Sequence, residues 1–361
     1  MSKLNVKRGL SPGRAASLLC SSALLLLAVS FVPKVASTAR AGQERGALTL
    51  VAVGDIMLDR GVGQKIERRG ASYPFEHVGD LLARAGIAFG NLEGPLADGC
   101  ARGGNSISFK AKPSYAQGLV SAGFDVLSLA NNHSADCGPT GLLQTIETLR
   151  AGGIHSSGAG RTPVEAERPV ILKVRGVRVA VLAFSAFSSR SSSRGGMSIA
   201  PASLETVRRA VLAARPLADV VLASFHWGEE YASRPGDEQV ELAQAAVAAG
   251  ADLVIGHHPH VLQGLQLVRR GEGTRPALIA YSLGNFVFDA PRAWDKRLVE
   301  SVVLRCRLSA EGLESVEVVP VVLEGFRPRP AGDEQSQAIL ARLTHLSAEF
   351  ETKLAGRSIL F

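Results

Sequence analysis

Aromatic and cysteine residues are scarce in this chain of 361 residues. Aromatic side chains make up only 5% of it, so the hydrophobic core must be built mainly from valine, leucine, alanine and isoleucine. The four cysteines include no C-x-x-C pair, which argues against a thiolate zinc site. No internal repeat is visible, and no apolar stretch after the N-terminal region is long enough to span a membrane. A hydrophobic fraction of 46% and a charged fraction of 20% indicate a globular protein.

Acidic residues are absent from the first 41 positions, whereas six basic residues occur there. The formal net charge of +7 comes almost entirely from this segment, because 34 basic and 33 acidic residues remain without it. A nucleic-acid-binding protein needs clustered positive charge on its folded domain. We therefore expect no nucleic-acid partner.

The N-terminal segment 1–41 has the features of an export signal. An apolar stretch from Ala15 to Val32 follows the first basic residues, and Ala39-Arg40-Ala41 offers small residues for a signal peptidase before Gly42. The alternative is a retained membrane anchor, although a span needs about 20 apolar residues and this stretch contains several serines. We expect an exported protein in the periplasm or at the cell surface, anchored by this segment if it is not cleaved.

Three cysteines lie outside the predicted signal. Disulfides form and persist in oxidising compartments such as the periplasm and the cell surface. Cys100 and Cys137 both follow candidate site loops, and we predict that they pair.

Five short apolar runs each end at residues that can bind a metal. Strands that are buried on both faces read as continuous apolar runs, and ligands of open α/β sheets bind beyond the carboxyl ends of such strands. The pattern therefore predicts one shared site built from distant parts of the chain. The runs are 48–54 before Asp55, 87–90 before Asn91-Leu92-Glu93, 126–130 before Asn131-Asn132-His133, 220–225 before His226, and 253–256 before His257-His258-Pro259-His260.

Helical and strand patterns alternate in the first two thirds of the chain, and strands cluster later. Runs 170–174 and 177–184 predict a hairpin. An alanine-rich helix is predicted from Asp237 to Ala249, with Gly250 as its stop, and a terminal helix over 333–350. This order predicts an α/β fold with two packed sheets and helices outside them.

Six residues at the strand ends have the chemistry of metal ligands. Nitrogen and oxygen donors without a thiolate suit Zn, Mn or Fe, and six ligands can hold one or two ions with positions left open for water and substrate. His133 is the candidate general acid, because histidine titrates near neutral pH. The predicted ligands are Asp55, Glu93, Asn132, His226, His258 and His260.

Each of these residues has an ordinary structural interpretation when it is considered alone. Asp55 could cap the following helix, Asn131-Asn132 could form a turn, and His226 could be a hydrogen-bonded core histidine. His258-Pro259-His260 is harder to explain in this way, whereas we expect the adjacent His257 to face solvent. The joint occurrence of all these residues favours the metal site.

Six ordered motifs lie within residues 48–290. They are GDIML from Gly54, NLEG from Asn91, ANNH from Ala130 with Asp136 and Gly138, HWG from His226 with Glu230 and Tyr231, GHHPHVLQ from Gly256, and SLGNF from Ser282. Together they resemble the CapA family, whose members are linked to bacterial capsule and poly-γ-glutamate synthesis and which is similar in turn to the calcineurin-like metallophosphoesterases. The resemblance implies a four-layer αββα sandwich of the metallo-dependent phosphatase type. We assign this domain to residues 42–326 and expect a helical tail at 327–361.

The resemblance also implies roles for individual residues. Asp55 matches the first metal-ligand aspartate, Glu93 the bridging carboxylate, and Asn132 with His133 the pair that supplies a ligand and the acid. Asp136 is implied as the partner that orients His133. The later histidine ligands correspond to His226, His258 and His260.

Two departures from the phosphoesterase pattern weaken the case for ordinary phosphomonoesterase activity. Met57 stands where those enzymes have a histidine, and a thioether is a poor ligand for such ions. One ion is therefore expected to lose a ligand. At the bridging position Glu93 replaces an aspartate and has a longer reach.

The sequence leaves two functions open. One is an exported metal-dependent hydrolase or transferase that acts on an envelope polymer or its precursor, with poly-γ-glutamate as the candidate polymer. The other is a non-catalytic binding or scaffold component of a polymer synthesis and export complex, with a membrane polymer synthase as its partner. A periplasmic phosphoesterase is a less directed alternative.

Overall fold

The computed structural model describes residues 46–99, 108–187, 196–271, 275–290 and 295–361. The predicted export segment 1–41 and the predicted disulfide partner Cys100 lie outside these ranges. Among the described residues, no helix combines the length and apolarity that a membrane span requires.

The described strands fall into three sheets. Their bounds, in chain order, are Leu48–Ile56 (β1), Ile87–Leu92 (β2), Val126–Ser128 (β3), His155–Ser157 (β4), Ala159–Gly160 (β5), Val170–Val174 (β6), Val177–Ser185 (β7), Ser198–Ile199 (β8), Val220–His226 (β9), Leu253–His257 (β10), Leu265–Val268 (β11), Ala277–Ala280 (β12), Asn285–Val287 (β13), Glu300–Ser309 (β14), Gly312–Glu324 (β15), Arg327–Pro330 (β16), Leu354–Ala355 (β17) and Ser358–Ile359 (β18).

The described α-helices mostly follow strands, as expected for an α/β fold. They are Arg60–Arg69 (α1), Gly79–Ala83 (α2), Ala116–Ala122 (α3), Gly138–Ala151 (α4), Pro163–Ala166 (α5), Leu204–Ala214 (α6), Asp237–Ala249 (α7) and Asp333–Ser347 (α8).

The larger sheet has the order β17-β18-β15-β14-β1-β2-β3-β4, with β13 beside β1 and β16 beside β15. The smaller sheet has the order β11-β12-β10-β9-β7-β6. Strands β1, β2 and β3 run parallel to one another, and so do β7, β9 and β10. The carboxyl ends of each parallel group therefore lie along one edge of its sheet.

Three apolar clusters define four layers. Leu50 and Phe89 of the larger sheet pack against Val179, Leu222 and Ile255 of the smaller sheet and form the core between the two. A second cluster joins the other face of the larger sheet to helices α1–α4, and a third joins the smaller sheet to α6 and α7. This αββα sandwich confirms the predicted fold.

Two glycines allow close approach of the chain beside the site. A Cβ on Gly54 would lie 1.9 Å from the carbonyl oxygen of Gly284, and one on Gly256 would lie 1.9 Å from that of Tyr281. No side chain fits at these distances. Gly54 and Gly256 immediately precede Asp55 and His257, so they let the strand ends come together.

The C-terminal segment 327–361, predicted as a helical tail, contains strands as well as a helix. Helix α8 is present, but β16 pairs with β15, and β18 joins β17 to the same sheet. Ile339 and Leu343 of α8 and Ile359 of β18 belong to the core between the sheets. The segment is therefore an integral part of the sandwich.

Candidate metal centre

The carboxyl ends of strands from both sheets meet at one edge of the molecule. Asp55 lies opposite Asn91 in the pairing of β1 with β2. In the smaller sheet, His226 of β9 lies opposite His257 of β10. Buried apolar side chains anchor these strands in the core. The polar residues at their carboxyl ends are therefore held close together.

Glu93 is the most unusual side chain of this group. It is only 1% exposed, and neither carboxylate oxygen has a hydrogen-bond partner among the described residues. Its Oε1 lies 3.7 Å from His260 Nε2 and 3.9 Å from His133 Nε2. Burial raises the pKa of Glu93 to about 8; His260 opposes this shift and the charge of Asp55 adds to it. A buried carboxylate is expected to be paired or to coordinate a metal.

His133 is held by an acidic neighbour. Its Nδ1 lies 2.8 Å from Asp136 Oδ2, and the same oxygen accepts a hydrogen bond from the backbone N–H of Phe109 at 2.6 Å. The rings of Phe109 and His133 pack with centroids 4.1 Å apart. These contacts leave Nε2 of His133 as the nitrogen that faces Glu93.

Asp55 is fully buried and is surrounded by donors. Asn91 Nδ2 donates to its Oδ1 at 2.9 Å, and the backbone N–H of His258 donates to Oδ2 at 3.2 Å. His257 Nδ1 and His260 Nδ1 lie 3.3 Å and 3.5 Å from its oxygens. Burial would raise the pKa of Asp55, but His257 and His260 outweigh it and hold this pKa well below its usual value. Asp55 is therefore a carboxylate at neutral pH.

A chain of amides fixes the orientation of His226. Asn131 Nδ2 donates to the Leu92 carbonyl at 2.8 Å and its Oδ1 accepts from the His133 backbone N–H at 3.1 Å, so both ends are set by backbone groups. Asn131 Nδ2 also lies 3.1 Å from Asn91 Oδ1, and Asn91 Nδ2 then faces both Asp55 Oδ1 and His226 Nδ1, the latter at 3.3 Å. Nδ1 of His226 must therefore accept a hydrogen bond.

The proton of neutral His226 follows from this network. Burial holds the pKa of His226 well below its usual value, so the ring is neutral. With Nδ1 as an acceptor, the proton lies on Nε2, which is 2.8 Å from Asn132 Oδ1 and donates to it. A cation that binds Nε2 of His226 must first displace this proton.

His260 has the opposite arrangement. Asn285 Nδ2 donates to the carbonyls of His260 and Leu298, so Asn285 Oδ1 is free to accept from His260 Nδ1 at 2.9 Å. This leaves Nε2 of His260 directed towards Glu93 as a possible ligand atom. Burial lowers the pKa of His260, but the charge of Glu93 and the contact with Asp55 outweigh it and raise this pKa to about 9.

The loop His258-Pro259-His260 has a strained backbone. His258 has φ 95° and His260 has φ 59°, a region that favours glycine. His258 is 5% exposed, and its Nδ1 has no hydrogen-bond partner among the described residues. Burial and the charge of His260 lower the pKa of His258 to about 4, so its ring is neutral at pH 7.

These residues could bind a metal ion. Asp55, Glu93 and His260 offer ligand atoms that lie within 4.8 Å of one another, and so do Glu230, His258 and His260. Buried oxygens and an imidazole nitrogen without partners are the atoms that a cation would satisfy. Carboxylates and imidazoles without thiolates fit Zn, Mn or Fe better than a soft metal.

The structure brings all six residues that we predicted as ligands into one connected group. Asp55, Glu93 and His260 form one part of it, His258 packs on His226 with ring centroids 4.8 Å apart, and His226 contacts Asn132. Their roles as ligands stay predictions. The predicted orienting contact of Asp136 with His133 is present at 2.8 Å.

Sequence reasoning misplaced one residue and missed others. We expected His257 to face solvent, but it is 1% exposed, because it is the last residue of β10 and its ring packs near Phe89. Asn91 and Asn285 hold Asp55 and His260, and only their positions within the NLEG and SLGNF motifs pointed to them. Glu230 came to notice only as part of a motif.

Met57 lies in a core cluster, and no cysteine among the described residues belongs to either set of potential ligands. Met57 is fully buried in the core beneath helices α1–α4, and its sulfur accepts a hydrogen bond from the backbone N–H of Asp59 at 3.0 Å. Cys137 is disulfide-bonded, and its predicted partner Cys100 is outside the described residues. Cys306 is a free buried thiol.

Comparisons with known proteins identify the family. The model of the family "Bacterial capsule synthesis protein PGA_cap" matches residues 49–290. The chain is 34% identical over 331 residues to capsule biosynthesis protein CapA of Bacillus anthracis. The aligned region covers 89% of this chain and 78% of that protein. It is 31% identical over 315 residues to PGA biosynthesis protein CapA of Bacillus subtilis, and that aligned region covers 86% of this chain and 80% of that protein.

A solved structure with a similar chain is a putative 5′-nucleotidase from Staphylococcus aureus. The identity is 14% and the TM-score 0.40, over 82% of this chain and 58% of that chain. A similarity this low says nothing about activity. The match to the family model and the identity to two capsule proteins over most of the chain are far stronger, and by them this chain belongs to the PGA_cap family of bacterial capsule synthesis proteins.

Proposed function

We propose that this protein is an exported accessory protein of surface-polymer synthesis with a metal-dependent hydrolase or transferase site. The observation that carries the proposal is Glu93, a buried carboxylate whose two oxygens have no hydrogen-bond partner among the described residues. It lies between His260 and His133, so one group joins the candidate ligands to the candidate acid.

Different residues of the site would bind the metal and donate the proton. Asp55, Glu93, Asn132, His226, His258 and His260 would hold one or two divalent ions of Mn, Zn or Fe. A bound cation would supply polarisation of the bond under attack and activation of water. His133, oriented through Nδ1 by Asp136, would present Nε2 to protonate the leaving group.

The substrate that we propose is an anionic envelope polymer or its precursor. The names of the relatives point to capsule and PGA synthesis. In a poly-γ-glutamate chain the bond to be broken or transferred is an amide. Protonation of its nitrogen by His133 would let the amine leave, which is the role that a general acid supplies.

The test combines metal content with turnover. We expect near-stoichiometric transition metal in the purified protein and cleavage in a screen of γ-glutamyl peptides and generic phosphoesters. Glu93→Gln should lose both metal and turnover. His133→Ala should keep the metal and lose turnover by about 10²- to 10⁴-fold, the usual contribution of general acid–base catalysis. His345→Ala, which removes an exposed histidine of α8, is the matched control and should behave like wild type.

Elemental analysis that finds no metal at neutral pH would exclude the metal-dependent function. Metal without turnover on any substrate class would instead support the second candidate, a non-catalytic component of a complex with a membrane polymer synthase. Met57 favours that candidate, because a thioether is a poor ligand for such ions and its sulfur already accepts a hydrogen bond. In that case His133→Ala should restore polymer production to a deletion strain as well as wild type does.

Export is the part of the proposal that rests on the sequence alone. We propose that the segment 1–41 directs the chain to the periplasm or cell surface. N-terminal sequencing of the mature protein is expected to begin at Gly42. Recovery of the intact N-terminus in the membrane fraction would identify a retained anchor, and recovery in the cytoplasm would contradict export.

A further inference from the structure

A backbone hydrogen bond links the turn that contains Glu230 to the loop His258-Pro259-His260. The backbone N–H of Tyr231 donates to the carbonyl of Pro259 at 2.8 Å, and Tyr231 has φ 67°. The rings of Tyr231 and His260 have centroids 6.3 Å apart. This turn follows β9, so it brings a carboxylate from the smaller sheet to the site.

Glu230 forms a second set of potential ligands with these histidines. Ligand atoms of Glu230, His258 and His260 all lie within 4.8 Å of one another. Glu230 itself is exposed, whereas the two histidines are buried. His260 also belongs to the set with Asp55 and Glu93, so the two sets adjoin.

His258 supplies an independent observation that this position needs a ligand. It is about 95% buried by its 5% exposure, and its Nδ1 has no hydrogen-bond partner among the described residues. A buried polar atom without a partner destabilises the folded protein, and a bound cation would remove that cost. The strained φ of 95° at His258 shows that the backbone holds this ring in place at a further cost.

Met57, the residue that follows β1, does not contribute to this set. Its side chain is fully buried in the core and its sulfur accepts from the Asp59 N–H, so it supplies no ligand after β1. We infer that Glu230 is a cation ligand that acts together with His258 and His260. This inference rests on the metal binding in the proposed function and adds a ligand that it did not include.

The test is metal binding by a pair of matched variants. Glu230→Gln and Glu229→Gln remove the same charge from neighbouring exposed positions of one turn, but only Glu230 belongs to the ligand set. We would titrate each full-length protein with Mn²⁺ alone and with Zn²⁺ alone by calorimetry, with circular dichroism to verify the fold. Glu230→Gln should weaken binding by about 100-fold or more, because even outer partners of ligands contribute about 10- to 100-fold. Glu229→Gln should match wild type.

The outcomes separate the inference from the proposed function. If Glu230→Gln binds both ions as tightly as wild type while Glu93→Gln does not, Glu230 is not a ligand and the inference fails alone. If the two glutamine variants at 229 and 230 weaken binding equally, general electrostatic attraction explains the effect and the inference also fails. If wild type binds neither ion, the proposed metal-dependent function fails together with it.

Discussion

His226 and His260 differ in the protonation of the Nε2 atom that faces the site, because their Nδ1 atoms have different hydrogen-bond partners. His226 accepts at Nδ1 from Asn91 and so keeps its proton on Nε2. His260 donates from Nδ1 to Asn285 and so directs Nε2 at Glu93. The hydrogen bond made by one ring nitrogen sets the state of the other. Once His260 loses its second proton, its Nε2 is therefore unprotonated, whereas Nε2 of neutral His226 still carries a proton.

The paired titration of Glu93 and His260 predicts how metal binding depends on pH. Their pKa values are raised to about 8 and about 9, so at pH 7 without metal this pair retains protons. Ligands must be deprotonated before they bind, so we expect binding at pH 7 to release at least about one proton per cation and affinity to increase from pH 6 to pH 9. Metal binding to His258 releases no proton at pH 7, because the pKa of His258 is lowered to about 4 and its ring is already neutral.

Calorimetric titration in buffers of different ionisation enthalpy measures this proton release directly. Glu93→Gln removes one member of the pair and should reduce the release in any metal binding that remains. A binding enthalpy that does not vary with the buffer would contradict the prediction.

At the scale of elements, the site depends on how closely strands from different parts of the chain approach. Asp55 lies one residue before the end of β1 and His257 ends β10, and each follows a glycine packed against a backbone carbonyl. The hairpin of β6 and β7 and the helix Asp237–Ala249 formed as the sequence predicted. The close approach at Gly54 and Gly256 was not predictable, because it involves carbonyls of residues 284 and 281.

Replacing Gly256 with alanine should push β10 away from Tyr281, which follows β12, and so disturb the site. The new Cβ of Gly256→Ala would lie 1.9 Å from the Tyr281 oxygen and 2.6 Å from Trp227 Nε1. We expect a loss of about 1–3 kcal/mol or more in the free energy of unfolding, as for other overpacked interiors, and weaker metal binding. Denaturant unfolding with a metal titration measures both.

Gly79 provides the matched control for this substitution. A Cβ there meets nothing within 4 Å, and the residue begins helix α2. Gly79→Ala should be neutral or stabilise the protein by up to about 1 kcal/mol, because it restricts only the unfolded chain. Equal effects of the two substitutions would show that the close contact at Gly256 does not matter.

At the scale of the whole molecule, the C-terminal segment helps to close the core. Leu343 of α8 is fully buried in the cluster between the two sheets. Leu343→Ala should therefore lower the free energy of unfolding by about 2–5 kcal/mol, the range for buried leucines. Leu212→Ala in α6, where the side chain is 60% exposed, is the control and should change it by about 0.5 kcal/mol or less.

Thermal or denaturant unfolding of both variants measures the difference. If Leu343→Ala were as stable as its control, the contribution of helix α8 to the core would be contradicted.

The family, the layered fold and the residue types at the strand ends all follow from local sequence. Apolar runs that stop at Asp55, His226 or the His258–His260 loop carry this information locally, since a buried strand and its polar end are continuous in the chain. The family assignment and the αββα sandwich that followed from these motifs are confirmed.

The burial, orientation and protonation of the site residues, by contrast, depend on contacts between distant parts of the chain. The burial of His257, the orientation of Met57 into the core, the proton on Nε2 of His226 and the place of Glu230 all depend on partners far away in the chain. Hydrogen bonds and packing across two sheets fix these features. A local pattern cannot contain them, because no stretch of sequence includes both partners.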